Sequence, residues 1–337
     1  MNNLRTPEEA FAKRIQRRWN YYRRTTSAYF GCGASQLTFW HDNPRPSDNI
    51  QAGQLGAYYM SFTQKSDYTY LDMNGIPLLD YRGALGPQYN PIAIAQYGLG
   101  NFNQWITNGS DDRFARFLRV SDWLVNQLEP NHAGFDVWMH KFDWDYRETL
   151  KAPWYSALAQ GQGISVMVRA FHATKKHIYL DAARRAFRSF QADVRDGGVV
   201  FTDQNGNTWF EEYIVDPPTH ILNGFIWASW GICDYALLTA DSAASELFAR
   251  AITTLERALE RFDIGYWSLY ELSETLLPML ASPFYHSLHI TQLQVMYRLT
   301  GLPVFRKYAE RWDSYRNSLW RRRAALVGKA VFKLCYY

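Results

Sequence analysis

Cysteine is scarce in this sequence, and no apolar run approaches the length of a membrane span. The three cysteines, Cys32, Cys233 and Cys335, are spread over 337 residues and form no CxxC pair. Their number and spacing exclude a disulfide framework and a cysteine-based zinc site. The opening stretch MNNLRTPEEAFAKRIQ lacks the apolar core of a signal peptide. We therefore expect a cytoplasmic protein without a transmembrane segment.

An excess of charge is also missing. The sequence has 36 basic and 32 acidic residues, a net charge of +4, which is too small to indicate a nucleic-acid partner. The basic residues are nevertheless concentrated in residues 13–24 and 320–333. Arginine interleaved with tryptophan and tyrosine is compatible with binding an anionic polysaccharide, and a solvated amphipathic helix is the simpler interpretation. We expect no nucleic-acid partner.

Aromatic side chains are what the sequence has in abundance. They make up 17% of the residues, with 23 tyrosines and 13 tryptophans. Tyrosine and tryptophan combine an apolar ring face with a polar group, which suits a cleft for sugars. A large helical core also uses many aromatic residues. The composition favours the sugar cleft over the plain core.

Glycine, proline and hydrophobic periodicity divide the chain into four parts. Residues 1–26 predict an N-terminal helix, and residues 27–89 predict a β-rich hairpin region with β-prone pieces such as AYYMSFTQ and an Asn-Gly turn in MNGI. Residues 90–318 are helical almost throughout, and residues 319–337 form a basic C-terminal tail. Apolar, glycine-containing helices alternate with charged ones. This alternation predicts a mainly α fold, an α/α toroid or incomplete (α/α)6 barrel with inner and outer helices.

Three aromatic-rich loops, ALGPQYN, TWFEEYIVDPP and ASPFYHSLH, precede helices of the inner type. Such loops lie at one end of a toroid, so we expect them to form one cleft. In the second loop Glu212 and Tyr213 place a carboxyl beside a phenol. Burial raises the pKa of a glutamate and nearby cations lower that of a tyrosine, so both pKa values move toward 7. The loop therefore predicts acid–base chemistry, with Glu211 solvated and not catalytic.

Several segments resemble the C-terminal catalytic part of the heparosan-N-sulfate-glucuronate 5-epimerase (D-glucuronyl 5-epimerase) family. In family order they are GPQYNPIAIAQYGLGNF, SDWLVNQ, WYSALAQGQGISVMVRAF, WFEEY, LNGFIWASWGICD and YHSLHITQLQ. The resemblance implies an isomerase of heparan sulfate synthesis that converts D-glucuronate to L-iduronate in a heparosan-like polymer. Inversion of carbon 5 needs an acid–base group on each face of the sugar and, in principle, no cofactor. The implied partner is an anionic uronate polysaccharide, and formation of a homodimer stays open.

The resemblance also implies particular site residues. Glu212 and Tyr213 would serve one face of the sugar, and Tyr270 or Tyr285 the other. The three-residue spacing of His286 and His289 would let them share a metal. Structural histidines are the simpler interpretation, so we predict no metal site. The predicted substrate-binding residues are Tyr89, Tyr97, Trp154, Tyr155, Trp209, Asn223, His286 and His289.

Two departures from the family pattern leave alternatives open. Ser273 stands where the family has an arginine, and Phe102 where it has a tyrosine. The arginine would bind the substrate carboxylate bidentately, and Arg147 or Arg169 are candidates to replace it. One alternative is a uronate polysaccharide lyase, which removes the same proton and then expels the oxygen at carbon 4. The other is a non-catalytic glycan-binding homologue.

Overall fold

Helices dominate the part of the chain that this computed structural model describes, which comprises Gln16, Trp19, residues 36–48 and residues 50–336. The helix predicted within residues 1–26 lies outside the described residues, apart from Gln16 and Trp19. The described helices are α1 (Gln36–Trp40), α2 (Thr63–Ser66), α3 (Pro91–Asn108), α4 (Asp111–Asn126), α5 (Ala157–Thr174), α6 (His177–Phe187), α7 (Leu222–Thr239), α8 (Ser242–Ala258), α9 (Pro283–Thr300), α10 (Pro303–Arg316) and α11 (Leu319–Tyr336).

Long helices of two kinds alternate from α3 to α10. The helices α3, α5, α7 and α9 are buried over most of their surface, whereas α4, α6, α8 and α10 bury one stripe. Successive buried helices pack on each other, and each one-sided helix packs on the buried helix before it. This arrangement is the α/α toroid that the alternation of apolar and charged segments predicts.

Capping side chains fix where three of the inner helices begin. The Asn90 side chain accepts a hydrogen bond from the Ile92 amide at 2.9 Å and so starts α3. The Ser156 hydroxyl accepts from the Ala159 amide at 3.1 Å at the start of α5, and the Ser282 hydroxyl caps α9 in the same way. Each cap satisfies an amide that the first helical turn leaves unpaired. The caps therefore hold the loops before these helices at one end of the toroid.

Short antiparallel strand pairs lie in the loops. The piece AYYMSFTQ is not a strand: only Met60 pairs, in a single bridge with Pro46, and α2 begins after Phe62, whose φ of 49° is left-handed. The MNGI turn is present, closed by a bridge between Leu71 and Pro77, with Gly75 at φ 77°. The paired strands are β1 (Leu79–Asp80) with β2 (Pro87–Gln88), β3 (Leu128–Pro130) with β4 (Asp136–Trp138), β5 (Trp144–Asp145) with β6 (Thr149–Leu150), and β7 (Val200–Thr202) with β8 (Thr208–Phe210).

The basic segment predicted as a tail contains helix α11, which packs on α10. Ala325 and Phe332 are buried on one side of this helix. A Cβ on Gly328 would collide with the Leu280 side chain, so the glycine lets the helix approach the loop before α9. Within the described residues no helix, α11 included, is long and apolar enough to cross a membrane.

Candidate active site

A cavity of about 720 Å³ lies at the end of the toroid where the inner helices begin. The first turns of α3, α5, α7 and α9 line it together with the loops that precede them. Residues 40–45 and one side of α11 complete the wall. Its volume is within the range of roughly 300–1,000 Å³ that is usual for small-molecule sites.

All four side chains predicted to be catalytic line this cavity, and so do Trp154 and Asn223 from the predicted binding set. Three separate segments supply the four: the loop after β8, the loop between α8 and α9, and the first turn of α9. The four are Glu212, Tyr213, Tyr270 and Tyr285.

Four aromatic residues of the predicted binding set lie away from the cavity because other contacts hold them. The Tyr89 hydroxyl donates to Asp72 at 2.7 Å. The Tyr155 hydroxyl donates to a backbone carbonyl at 2.9 Å. Tyr97 is fully buried in the hydrophobic core, and Trp209 stacks on the His220 ring at a centroid distance of 4.3 Å.

The two histidines of the HSLH string are also outside the cavity. The His286 ring stacks on Trp267 at 3.7 Å, and its Nε2 donates to the Trp312 carbonyl at 2.9 Å. The Nδ1 atoms of His286 and His289 lie 2.8 and 3.1 Å from the Ser268 hydroxyl. Burial lowers the pKa of His286 to about 4, so this histidine is neutral at pH 7. In the described part of the chain, no cluster of three or more histidine, cysteine or acidic residues is arranged to hold a metal.

Burial determines the acid–base state of Glu212. Burial, reinforced by the nearby Glu271 carboxylate, raises the pKa of Glu212 to about 8. Hydrogen bonds from Tyr213 and from Asn223, the latter to Oε2 at 3.3 Å, moderate the shift. A Cβ on Gly224 would collide with the Glu212 carboxyl, so the glycine leaves the space that this group occupies. Glu212 is therefore a strong carboxylate base once it ionises.

The tyrosines form a second group in the same cavity. The rings of Tyr270 and Tyr285 meet edge to face with their centroids 4.8 Å apart. Burial raises the pKa of both, and the charge of Glu212 raises it further. Both are therefore phenols at neutral pH, able to donate a proton. Tyr213 packs on the Tyr146 ring at 4.4 Å and continues the aromatic wall.

Comparison with known proteins identifies the family. Residues 132–314, more than half of the chain, match the family model described as the D-glucuronyl C5-epimerase C-terminus. The chain belongs to this D-glucuronyl C5-epimerase family. The resemblance found in the sequence is thereby confirmed, and the matched region contains the four cavity side chains named above.

Two relatives show how far the likeness extends. A D-glucuronyl C5-epimerase of Caenorhabditis elegans is 31% identical over 239 residues, which are 66% of this chain and 38% of the worm protein. An uncharacterized protein of Methanocaldococcus jannaschii is 28% identical over 207 residues, which are 58% of this chain and 66% of the archaeal protein. This family member thus spans only part of each relative's length.

A solved structure supports the fold. Cellobiose 2-epimerase from Spirochaeta thermophila DSM 6192 has a TM-score of 0.50 and 12% sequence identity, over 89% of this chain and 84% of that one. An unsaturated glucuronyl hydrolase from Bacillus sp. GL1 has a TM-score of 0.46 and 13% identity, over 67% and 62% of the two chains. At these identities the first likeness bears on the fold alone.

The sequence prediction did not include an ion pair beside the tyrosines, between the half-buried Arg147 and the buried Glu271. Arg147 and Tyr146 both donate hydrogen bonds to the Glu271 carboxylate. Arg147, a candidate to replace the family arginine, is therefore already paired with a carboxylate. Glu271 directly follows Tyr270 in the LYEL string, and that adjacency is the signal available in the sequence.

Two other interpretations of single residues also need attention. The expectation that Glu211 is solvated is wrong, because Glu211 is buried and its Oε1 lies 2.5 Å from His220 Nδ1. Arg169, the other candidate for the substrate carboxylate, lies outside the cavity lining and is paired with Asp234 at 2.5 Å in the core. Both side chains have structural partners.

The C-terminal helix of this family member supplies cavity residues that the sequence prediction missed. Leu326, Lys329 and Lys333 line the cavity from α11. The Lys329 Nζ atom lies 5.2 Å from the centre of the Tyr270 ring. Helix α11 begins after residue 314, so these groups come from outside the region that matches the family model. The signal for this helix in the sequence is the seven-residue spacing of the apolar Ala325 and Phe332, both of which are buried.

Proposed function

We propose that this protein is a glucuronate 5-epimerase that inverts carbon 5 of D-glucuronate to L-iduronate within a heparosan-like polysaccharide. The observation that carries the proposal is the meeting of Glu212, Tyr270 and Tyr285 in one cavity of a chain of this family. Tyr213 and Trp154 extend that wall with aromatic surface for the faces of sugar rings.

The chemistry assigns complementary roles to the two groups of side chains. Ionised Glu212, beside Tyr213, takes the proton from carbon 5, and its raised pKa makes it a stronger base than an ordinary carboxylate. The electron pair left behind is stabilised by the neighbouring sugar carboxylate. Tyr285 or Tyr270, still protonated, then returns a proton from the opposite face. In the reverse direction the two groups exchange their roles.

Solvent exchange tests this function directly. The protein is incubated with unsulfated heparosan in heavy water, and the polymer is examined by NMR and by size. Deuterium at carbon 5 of uncut polymer, with iduronate signals, is the expected result. Shortened chains with unsaturated ends would instead identify a lyase. Binding of the polymer without exchange would identify a glycan-binding homologue.

The rate of exchange should depend on pH through Glu212. The base must have lost its proton, and the pKa of this carboxyl is raised to about 8. We expect the initial rate to rise by nearly tenfold per pH unit between pH 6 and 7 and to flatten near pH 8. Rates on one heparosan preparation across this range would show it. A rate that is constant from pH 6 to 8 would contradict the assignment of Glu212 as the base.

A second prediction concerns Gly224, which makes room for the Glu212 carboxyl. We expect Gly224→Ala to displace that carboxyl and slow exchange by about 10- to 100-fold, because small errors in position are costly in catalysis. The matched control is Gly56→Ala, where an added Cβ has no atom within 4 Å. The control should exchange at the wild-type rate. A folded Gly224→Ala variant with undiminished exchange would show that the position of Glu212 is unimportant.

A further inference from the structure

Arg147, Arg169 and Lys65 already have hydrogen-bond partners. Arg147 is paired with Glu271. Arg169 is paired with Asp234 away from the cavity. The Lys65 ammonium donates to the Phe39 carbonyl at 2.6 Å. The two arginine charges are therefore committed to carboxylates. Burial lowers the pKa of Lys65 to about 7, so this lysine is only partly charged at neutral pH.

Lys329 differs from these cations. It is half-buried and lines the cavity. Among residues 36–48 and 50–336, no carboxylate lies within 4.0 Å of its ammonium group. Burial lowers the pKa of Lys329 to about 8 while the Glu271 charge opposes that shift, so the side chain is charged at neutral pH. Its charge is thus available to an anionic ligand.

The location of Lys329 is fixed by contacts that neighbouring residues of α11 make along one face of the helix. Phe332 is buried, and Gly328 approaches Leu280 closely. The Tyr336 hydroxyl accepts a hydrogen bond from the Leu277 amide at 3.4 Å. These contacts hold α11 against the 277–280 stretch, whose Met279 carbonyl accepts from the Tyr270 amide at 2.7 Å. The ammonium group is therefore held beside Tyr270.

We infer that Lys329 binds the carboxylate of the reacting uronate, so that helix α11 completes the substrate site. This inference rests on the proposed function. When the proton leaves carbon 5, negative charge spreads onto the neighbouring carboxylate, and a fixed cation stabilises that charge most effectively in a cavity of low polarity. The position over the Tyr270 ring places the cation beside a proton donor.

The test measures how a change in the protein and a change in the ligand, made separately and together, affect binding. The ligands are an unsulfated glucuronate–N-acetylglucosamine hexasaccharide and the same hexasaccharide with its carboxyl groups reduced to alcohols. The proteins are the wild type, Lys329→Met, the charge-conserving Lys329→Arg, and Arg322→Met. Arg322 is exposed on the same helix, so its loss removes one charge without changing the cavity. Calorimetry gives each Kd, and thermal unfolding shows that each variant is folded.

We expect Lys329→Met to weaken binding of the uronate hexasaccharide by about 10- to 100-fold, the usual range for a hydrogen bond to a charged group. The same variant should bind the reduced hexasaccharide within about twofold of the wild type, because that ligand has no carboxylate for Lys329 to bind. Lys329→Arg should keep most of the affinity, and Arg322→Met should keep all of it.

Two results would overturn the inference. Equal weakening for both hexasaccharides would show that Lys329 acts through packing, and undiminished uronate binding would place the carboxylate elsewhere. In either case carbon 5 exchange by the wild-type protein would still support the epimerase. A wild type that neither binds the uronate hexasaccharide nor exchanges its carbon 5 hydrogen would overturn the proposed function as well.

Discussion

Glu212→Gln should lower the rate of carbon 5 exchange by roughly 10²- to 10⁴-fold, the usual contribution of a positioned general base. Glutamine has nearly the same shape but cannot accept the proton. The cavity and its aromatic wall should survive, because Glu212 is in no ion pair among the described residues and its hydrogen bond from Asn223 can be kept. Exchange on heparosan, measured at one pH for both proteins, gives the ratio.

The same substitution should stabilise the fold at alkaline pH. The pKa of Glu212 is raised from 4.5 to about 8 in the folded protein. Between these values the folded state holds a proton that the unfolded state has released, so wild-type stability falls as pH rises and levels off above the folded pKa. Glutamine has no such proton. At pH 9 we expect Glu212→Gln to be more stable than the wild type by about 1–3 kcal/mol, with little difference near pH 4.

The neighbouring glutamate supplies a matched control. Glu211 is also buried, but it lies 2.5 Å from His220 Nδ1 and accepts the His220 amide at 3.2 Å. Glu211→Gln should therefore destabilise the protein, by about 1–3 kcal/mol. Denaturant unfolding at pH 4 and pH 9 compares the two variants with the wild type. If Glu212→Gln exchanged carbon 5 hydrogen at the wild-type rate, Glu212 would not be the base. If Glu212→Gln were less stable than the wild type at pH 9, Glu212 would not be a buried carboxyl that lacks a cationic partner.

Asp234→Asn should cause the largest loss of stability, about 3–5 kcal/mol, because it leaves the buried Arg169 charge uncompensated. Asp234 accepts hydrogen bonds from Arg169 at 2.5 and 3.1 Å, and further ones from Ser165 at 2.6 Å and Tyr59 at 2.8 Å. The network joins α5 and α7 to the segment before α2. Loss of this network would weaken packing in the core, which lies away from the cavity.

Urea unfolding of the wild type and of Asp234→Asn gives this difference in free energy. The comparison is Asp181→Asn, whose partner Arg184 lies 3.4 Å away with both side chains exposed. That change should alter stability by less than about 1 kcal/mol. Replacing both members of the buried pair, as in Arg169→Met with Asp234→Leu, should recover much of the loss. If Asp234→Asn lies within about 1 kcal/mol of the wild type, the Arg169 charge is not isolated from water.

The fold could be derived from the sequence because its signals are local. Inner and outer helices differ in how many of their sides are apolar, and that difference is written in each segment separately. Pro91 lies in the first turn of α3, directly after the predicted loop ALGPQYN. The loop with Glu212 was found for the same reason: acid, phenol and aromatic rings stand together in ten residues. The prediction of ASPFYHSLH as a loop is wrong for most of its length, because α9 begins at Pro283 after the cap Ser282.

The cavity, by contrast, was decided by tertiary structure. Glu211 and Glu212 are adjacent and both buried, yet Glu211 contacts His220 and Glu212 lines the cavity. Lys329 joins Tyr270 from 59 positions along the chain, the separation that also divides the hydrogen-bonded Leu277 and Tyr336. The sequence alone determined which groups this protein has for acid–base chemistry. Packing between distant segments determined which of them share one cavity.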